Sequence, residues 1–433
     1  MGSIGVQQPY RPTPADITID NHKPGDPAKI LFKDVRILDS TGRAPYDGSV
    51  LIEGERIVAV GEVGDAAADG ALVIDGEGKK TLMSGLMDAH THLSWNNAPN
   101  IDSLTNLPLE EHVLVTAQSA KTYLDCGYTM CFGAAAAQLR LDIAVKASIK
   151  SGLIPGPRTL SNGPEIATTG GAIVPNISRL ADGPLEMRKQ VREFIMLGVD
   201  NIKLSMSGDD IHPTMPSTET YFTLDETIAA VQEAHNRGKR VCAHARSAQS
   251  VKLALQAGVD VIYHASFIDE EGMDMLEQKK DQVWVAPALN FFYTTCTGEA
   301  APYGMSAEQA AKKGIKHEVD TACKAMQEIR KRGIRVMPGG DYGFAWAPHG
   351  TYARDVKHLV DLFGYTPMES IIAATAWGGE MMGHPQALGK VAPGYYADVI
   401  LIDGDPLSDL EILQKQDKLH SIVINGHVHK HLA

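Results

Sequence analysis

No run of about 18 apolar residues occurs in this chain of 433 residues, so no segment is expected to span a membrane as a helix. Excess positive charge is also missing: 53 acidic side chains against 40 lysines and arginines leave a formal charge of −13. Phosphate backbones are held by basic surfaces, which excludes nucleic acid as the expected partner. Cysteine is scarce. Cys126, Cys131, Cys242, Cys296 and Cys323 form no CxxC pair and leave an odd number, so neither a disulfide framework nor a zinc ribbon is expected. The opening Met1-Gly2-Ser3-Ile4-Gly5-Val6 lacks a basic-then-apolar signal pattern, and Val6 stands where N-myristoylation wants Ser or Thr. Reduced thiols and the missing signal make the cytoplasm the expected location.

What is present is mostly short strands and helices. With 44% hydrophobic and 21% charged residues the composition is that of a globular protein, and the length calls for a large domain plus a smaller one. Residues 1–28, with Pro9, Pro12, Pro14, Pro24 and Pro27, read as an arm without its own core. Over residues 29–80, runs such as Val35 to Leu38, Ser49 to Ile52 and Arg56 to Val60 alternate between turns at Gly54, Gly61 and Gly76, as in a small β domain. The same pattern returns within residues 385–433, at Ala397 to Ile402 and Ser421 to Gly426. The β-sandwich is therefore expected to be discontinuous, built from both chain ends.

Between them, residues 81–384 alternate strand and helix periods. Eight strands are expected: Leu86 to His92, Tyr128 to Phe132, Arg158 to Ser161, Asp200 to Ser205, Arg240 to His244, Asp260 to His264, Val283 to Ala286 and Arg335 to Asp341. Helices are expected over Leu185 to Leu197, Leu224 to Arg237, Ser250 to Ala257 and Ala307 to Arg332, with Gly198, Gly238, Gly258 and Gly333 ending them. Eight β/α units fit an α/β fold of the (β/α)8 TIM-barrel type, whose active site lies at the carboxyl ends of the strands. A doubly wound sheet competes, but no GxGxxG follows an early strand.

Those ends carry chemistry. His90 and His92 are one residue apart at the end of the first strand and point to one side, as two ligands of one ion would. Lys203, His244, His264 and Asp341 end the fourth, fifth, sixth and eighth strands, and a barrel would bring all six to one cavity. An ammonium has no lone pair, so Lys203 cannot ligate unmodified. His427, His429 and His431 imitate a metal tract but alternate as an edge strand does.

His90-Thr91-His92, Lys203, Cys242-Ala243-His244-Ala245, Tyr263-His264-Ala265 and Gly339-Gly340-Asp341 together resemble the amidohydrolase superfamily, and within it the prolidase and ochratoxinase-like branch. The similarity extends to Leu388-Gly389-Lys390-Val391-Ala392-Pro393-Gly394 and Ala397-Asp398. It implies a binuclear zinc site: His90, His92 and Asp341 on one ion, His244 and His264 on the other, and an N6-carboxylated Lys203 bridging them. A hydroxide shared by the ions would attack, with Asp341 as general base and then acid, and His264 counted with it among the catalytic residues. The chain departs from the pattern at Tyr263-His264-Ala265, where Glu-His-Gly is usual, and at Tyr395-Tyr396, where a lysine usually precedes Ala-Asp.

The expected reaction is hydrolysis of a small-molecule amide: an N-acyl amino acid, a dipeptide as in a carboxypeptidase, or an ochratoxin-like amide. His349 and Tyr221 are the expected contacts to a substrate carboxylate, and Phe291-Phe292-Tyr293 a candidate wall for an apolar leaving group. Hydrolysis of a cyclic amide of the imidazolone or hydantoin type is the alternative, followed by a metal-dependent decarboxylase or isomerase on the same fold. A homo-oligomer is expected.

Overall fold

The computed structural model describes Tyr10, residues 12–174 and residues 176–432. Gly2, Val6, Pro9 and the rest of the first nine residues, with that part of the expected arm, lie outside the described residues, as do Arg11, Pro175 and Ala433.

The strand Lys29–Leu38 organises the first part of the chain. Asp34 turns to a φ of 49°, and the pairing register shifts between Phe32 and Val35. The strand is thereby bent, so its two halves pair in parallel with different partners, Leu72–Asp75 and Thr81–Ser84. Its other edge runs antiparallel to Tyr46–Glu53, which continues to Arg56–Gly61. From the far end of the chain, Val399–Ile402 lies antiparallel to Thr81–Ser84 and is followed outward by Leu419–Ile424 and His427–His431.

Eight strands from both chain ends thus form one hydrogen-bonded sheet. The ladder is continuous because one bent strand serves three partners. The sheet also extends past residue 80 to the fully buried Thr81–Ser84, the strand that joins the two ends. Ile30, Phe32, Ile37, Val50, Leu82 and Val399 fill its core.

The middle of the chain alternates parallel strands with helices. Leu86–Thr91, Tyr128–Gly133 and Arg158–Leu160 form one parallel sheet; Asn201–Ser205, Arg240–Ala245, Val261–His264 and Trp284–Ala286 belong to a second. The second sheet also contains two short strands the pattern does not predict, Glu165–Ala167 and Ser178–Leu180. The amide of Asp200 spans the gap between the sheets with a 2.8 Å bond to the Ser161 carbonyl.

The eighth expected strand is not a regular one. Residues 335–341 contribute a single bridge between Val336 and Val285, and three bonds to the neighbouring strands, Val285 N–H to Arg335 O (3.3 Å), Met337 N–H to Val285 O (2.8 Å) and Ala89 N–H to Pro338 O (3.0 Å). Proline supplies no donor and Gly339-Gly340 no side chains to pack, so a ladder does not propagate. The fold is a mixed α/β one with parallel sheets.

Helices form where the apolar period and caps agree. Leu224–His235 opens with a capping box in which the Thr223 N–H donates to the Glu226 carboxylate at 2.8 Å. Gly183–Leu197 and Ala248–Ala257 end on left-handed Gly198 and Gly258. The long helix expected over 307–332 is broken into Ala307–Lys312 and Ile315–Lys331 at Gly314, whose φ is 89°. Among the described residues no helix is long and apolar enough to cross a membrane.

Arg158 joins the two parts of the molecule. Fully buried, it donates to both carboxylate oxygens of Asp398 (2.7 and 3.0 Å) and to the Asn425 side chain (2.9 Å). Tyr396, at the position where a lysine is usual, lies between the guanidinium groups of Arg158 (4.0 Å) and Arg56 (3.4 Å). The arm packs on this assembly through buried Ile17 and Ile19, and the Tyr10 ring stacks on His235 at 3.6 Å.

Candidate metal centre

Strand alternation aims His90 and His92 into the same space, and Gly339 lets Asp341 approach them. A Cβ on Gly339 would come within 2.7 Å of the His90 backbone nitrogen, so only glycine lets this segment lie against the first strand. One nitrogen of each histidine and one oxygen of Asp341 lie within 4.8 Å of one another, all three residues being buried. His92 Nε2 is 3.0 Å and His90 Nε2 3.8 Å from Asp341 Oδ1.

The other three expected ligands adjoin this group. The rings of His244 and His264 are 4.4 Å apart, and that of His264 is 5.4 Å from His90. Lys203 places its Nζ 4.8 Å from the centre of the Tyr263 ring, which itself stacks on His90 at 3.7 Å. Five of the six, His90, His92, Lys203, His244 and Asp341, line one cavity.

Buried polar atoms are ordinarily paired. Here His90 Nδ1, His92 Nε2, both ring nitrogens of His264 and Asp341 Oδ1 are buried without any hydrogen-bond partner among the described residues. Burial first, then the nearby cations Lys203 and Arg246, hold His90, His244 and His264 well below the usual imidazole range. Neutral imidazoles with idle lone pairs beside a carboxylate are the donor set of a divalent transition metal. The other ring nitrogens help aim the ligands: His92 Nδ1 is 2.8 Å from the Ala135 carbonyl and His244 Nε2 3.1 Å from that of Gly208.

Several contributors escape a sequence reading. Asp88 accepts the His90 N–H (2.8 Å) and the Tyr123 hydroxyl (2.6 Å), and burial pushes its pKa up to about 6. The Trp95 ring covers His92 at 3.5 Å. Arg246 donates to Asp209 and to Glu318, pinning the loop after Asn201–Ser205 to the helix Ile315–Lys331. His264 and Asp341 both have left-handed backbones, with φ of 73° and 62°, a conformation that L-residues adopt at a cost and that gathers at functional sites. The only hint of that in the sequence is the glycine usual beside the sixth-strand histidine, here Ala265.

The expected substrate contacts are placed elsewhere. His349 is engaged at both nitrogens, by the Trp95 carbonyl (2.8 Å) and the Tyr352 hydroxyl (3.1 Å), and burial lowers its pKa to about 4. Tyr221 donates its hydroxyl to Glu219 at 2.7 Å. Neither lines the cavity. Of the aromatic cluster, Phe291 does, whereas Phe292 packs on Arg246 and Tyr293 on His358. At the C-terminus His427 and His429 pair with Asp26 and Asp125, each at 2.7 Å, on a half-buried edge strand.

Comparison with known proteins agrees with this geometry. A model described as the amidohydrolase family matches residues 81–429. Ochratoxinase from Aspergillus niger is 25% identical over 465 aligned residues, covering 99% of this chain and 94% of that protein. Among solved structures, an amidohydrolase superimposes with a TM-score of 0.83 at 27% identity, covering 93% of this chain and 99% of the other. A prolidase complexed with N-methylphosphonate-L-proline shares the fold, with a TM-score of 0.82 at 24% identity over 93% of this chain and all (100%) of its own. A metal-type donor set at the strand ends and a match over most of the sequence lead to one conclusion: the chain belongs to the amidohydrolase family, in its prolidase- and ochratoxinase-like branch.

Proposed function

We propose that this hydrolase is a binuclear metal-dependent enzyme that cleaves an amide bond in a small molecule. The observation that carries the reading is the set of partnerless buried nitrogens and oxygen on His90, His92, His264 and Asp341 beside one cavity. His90, His92 and Asp341 would hold one ion, His244 and His264 a second, and Lys203, carboxylated on Nζ, would reach both. Zinc suits imidazole and carboxylate donors at a site that must stay open to substrate. Bound there, the ions would polarise the amide carbonyl and lower the pKa of water toward about 7.

The chain's own residues do the rest. Asp341 takes the proton of the attacking water and returns it to the leaving nitrogen, so that an amine departs rather than an amide anion. Trp95 and Phe344 wall the cavity and, with Ile101 and Ile211, limit the access of bulk water. Asp88 holds the His90 backbone, which fixes the direction of that imidazole.

In this reading the two parallel sheets and residues 335–341 make up a (β/α)8 barrel over residues 85–384. The bonds Asp200 to Ser161, Met337 to Val285 and Ala89 to Pro338 support it, since they connect the strands in a ring. The arm (1–28) and the discontinuous β domain (29–84 and 385–433) flank that barrel. The free state of all five cysteines supports a reducing compartment.

The test is a hydrolysis screen with zinc-loaded protein over N-acyl amino acids, dipeptides, an ochratoxin-type amide, aminoacyl anilides and cyclic amides, run beside metal analysis. About two ions per chain and turnover of one of these amides are expected. Protein that binds no divalent metal, or that binds it and cleaves none of the panel, would refute the proposal.

A further inference from the structure

Apart from the ligands, the cavity wall is apolar and acidic. Ile101, Ile173, Val174, Ile177 and Ile211 with three aromatic rings supply the apolar surface, and Glu165 and Asp209 two carboxylates. The two acids differ in their surroundings. Asp209 is neutralised by Arg246 at 2.8 Å, and that guanidinium is held on its other side by Glu318 at 2.7 Å. Glu165 is 6% exposed, accepts one bond, from the Ser178 hydroxyl (2.8 Å), and among the described residues no cation lies within ion-pair reach of it. A buried carboxylate with one neutral donor is short of partners.

Its place in the sheet says what it faces. Ile166 pairs with Leu204, so Glu165 and Lys203 are the preceding residues on adjacent parallel strands, and both line the cavity. Neighbouring strands are about 4.8 Å apart, so a group bonded to Glu165 is only a few covalent bonds from a carbonyl held beside Lys203. A free carboxylate there would meet Glu165 and the already-paired Asp209, with His349 and Tyr221 both engaged outside the cavity.

We propose that Glu165 is a specificity residue that receives a protonated amine on the acyl side of the substrate, so that the preferred class is apolar amides with an amine α or β to the scissile carbonyl. This rests on the amidohydrolase reading and narrows it. An ammonium gives Glu165 the charge-assisted donors it lacks, and the isoleucine-lined wall takes the apolar side chain. N-acyl amino acids, whose charge is a carboxylate, are disfavoured.

The test compares leucine p-nitroanilide with 4-methylpentanoyl p-nitroanilide, which lacks only the amine, on zinc-loaded protein. The expected ratio of kcat/KM is about tenfold or more in favour of the amine. Glu165→Gln, which keeps the shape and an oxygen for Ser178, is expected to bring that ratio toward one. Equal turnover of the two anilides by the unaltered protein overturns the inference without any variant, as does a ratio that survives Glu165→Gln. Cleavage of N-acyl amino acids in preference to both anilides overturns it too, while leaving the amidohydrolase reading intact. Failure to cleave either anilide overturns the inference, and failure on the dipeptides, ochratoxin-type amide, acyl amino acids and cyclic amides as well removes both.

Discussion

Nε2 of His92 lies 3.0 Å from Oδ1 of Asp341, yet neither atom has a hydrogen-bond partner among the described residues. The two were brought together to face something other than each other. If Asp341 moves the proton as well as holding an ion, Asp341→Asn keeps an oxygen donor but loses the base. The expected loss in kcat is about a thousandfold, with metal content largely retained. Steady-state kinetics beside metal analysis of the same sample checks this, and a near-normal kcat would take the proton-transfer role away from Asp341.

Lys203 tests the bridge. Lys203→Ala is expected to lose activity and metal together, and added formate or acetate, small enough to sit where the carboxylated amine would, to restore part of both. The readout is activity and bound zinc against carboxylate concentration. Full activity without any addition would leave the lysine no part in the site.

Ala265 follows His264 with a φ of 52°. An L-residue in the left-handed region costs about 1–2 kcal/mol, and glycine gives back about 0.5–1 of that through its unfolded-state freedom. Ala265→Gly is therefore expected to stabilise the protein by roughly 0.5 kcal/mol or somewhat more, read as a higher midpoint in urea.

Burial pushes the pKa of the fully buried Asp142 up to about 7, with the Ser94 hydroxyl the one group opposing the shift. A carboxyl whose folded pKa is raised favours folding when neutral. Its contribution is complete below the unfolded value near 4 and is lost as the pH climbs through about 7. Asp142→Asn should flatten stability across that window and make the protein more stable than the parent at pH 8, by an amount on the order of a few kcal/mol at most. Denaturant titrations at pH 4, 6 and 8 give the answer.

Asp398→Asn would leave Arg158 buried with a neutral partner. Removing one member of a buried pair costs about 3–5 kcal/mol, and a drop of that size in unfolding free energy is expected. Because the pair lies away from the cavity, kcat per folded molecule should be little altered.

Much of the site was legible because strand ends obey local rules. Alternation fixed the common direction of His90 and His92, and glycines after helices marked where Asn201–Ser205 and Val261–His264 begin. Residues 335–341 resisted because Pro338 and the two glycines after it suppress the ladder while keeping the position. Glu165 was invisible for another reason: its strand has three residues and earns its place only through partners distant in sequence. The same holds for His349, whose ring nitrogens are taken by Trp95 and Tyr352, contacts that no spacing announces.

The salt link between Arg158 and Asp398 also dictates an order of events. Arg158 emerges from the ribosome long before its counter-ion, and Thr81–Ser84 before Val399–Ile402, so the middle of the chain waits with a bare guanidinium and an open strand edge until almost all of it has been made. Maturation is thereby postponed to the end of synthesis, and a polypeptide cut short before Asp398 would be left to chaperones or proteases.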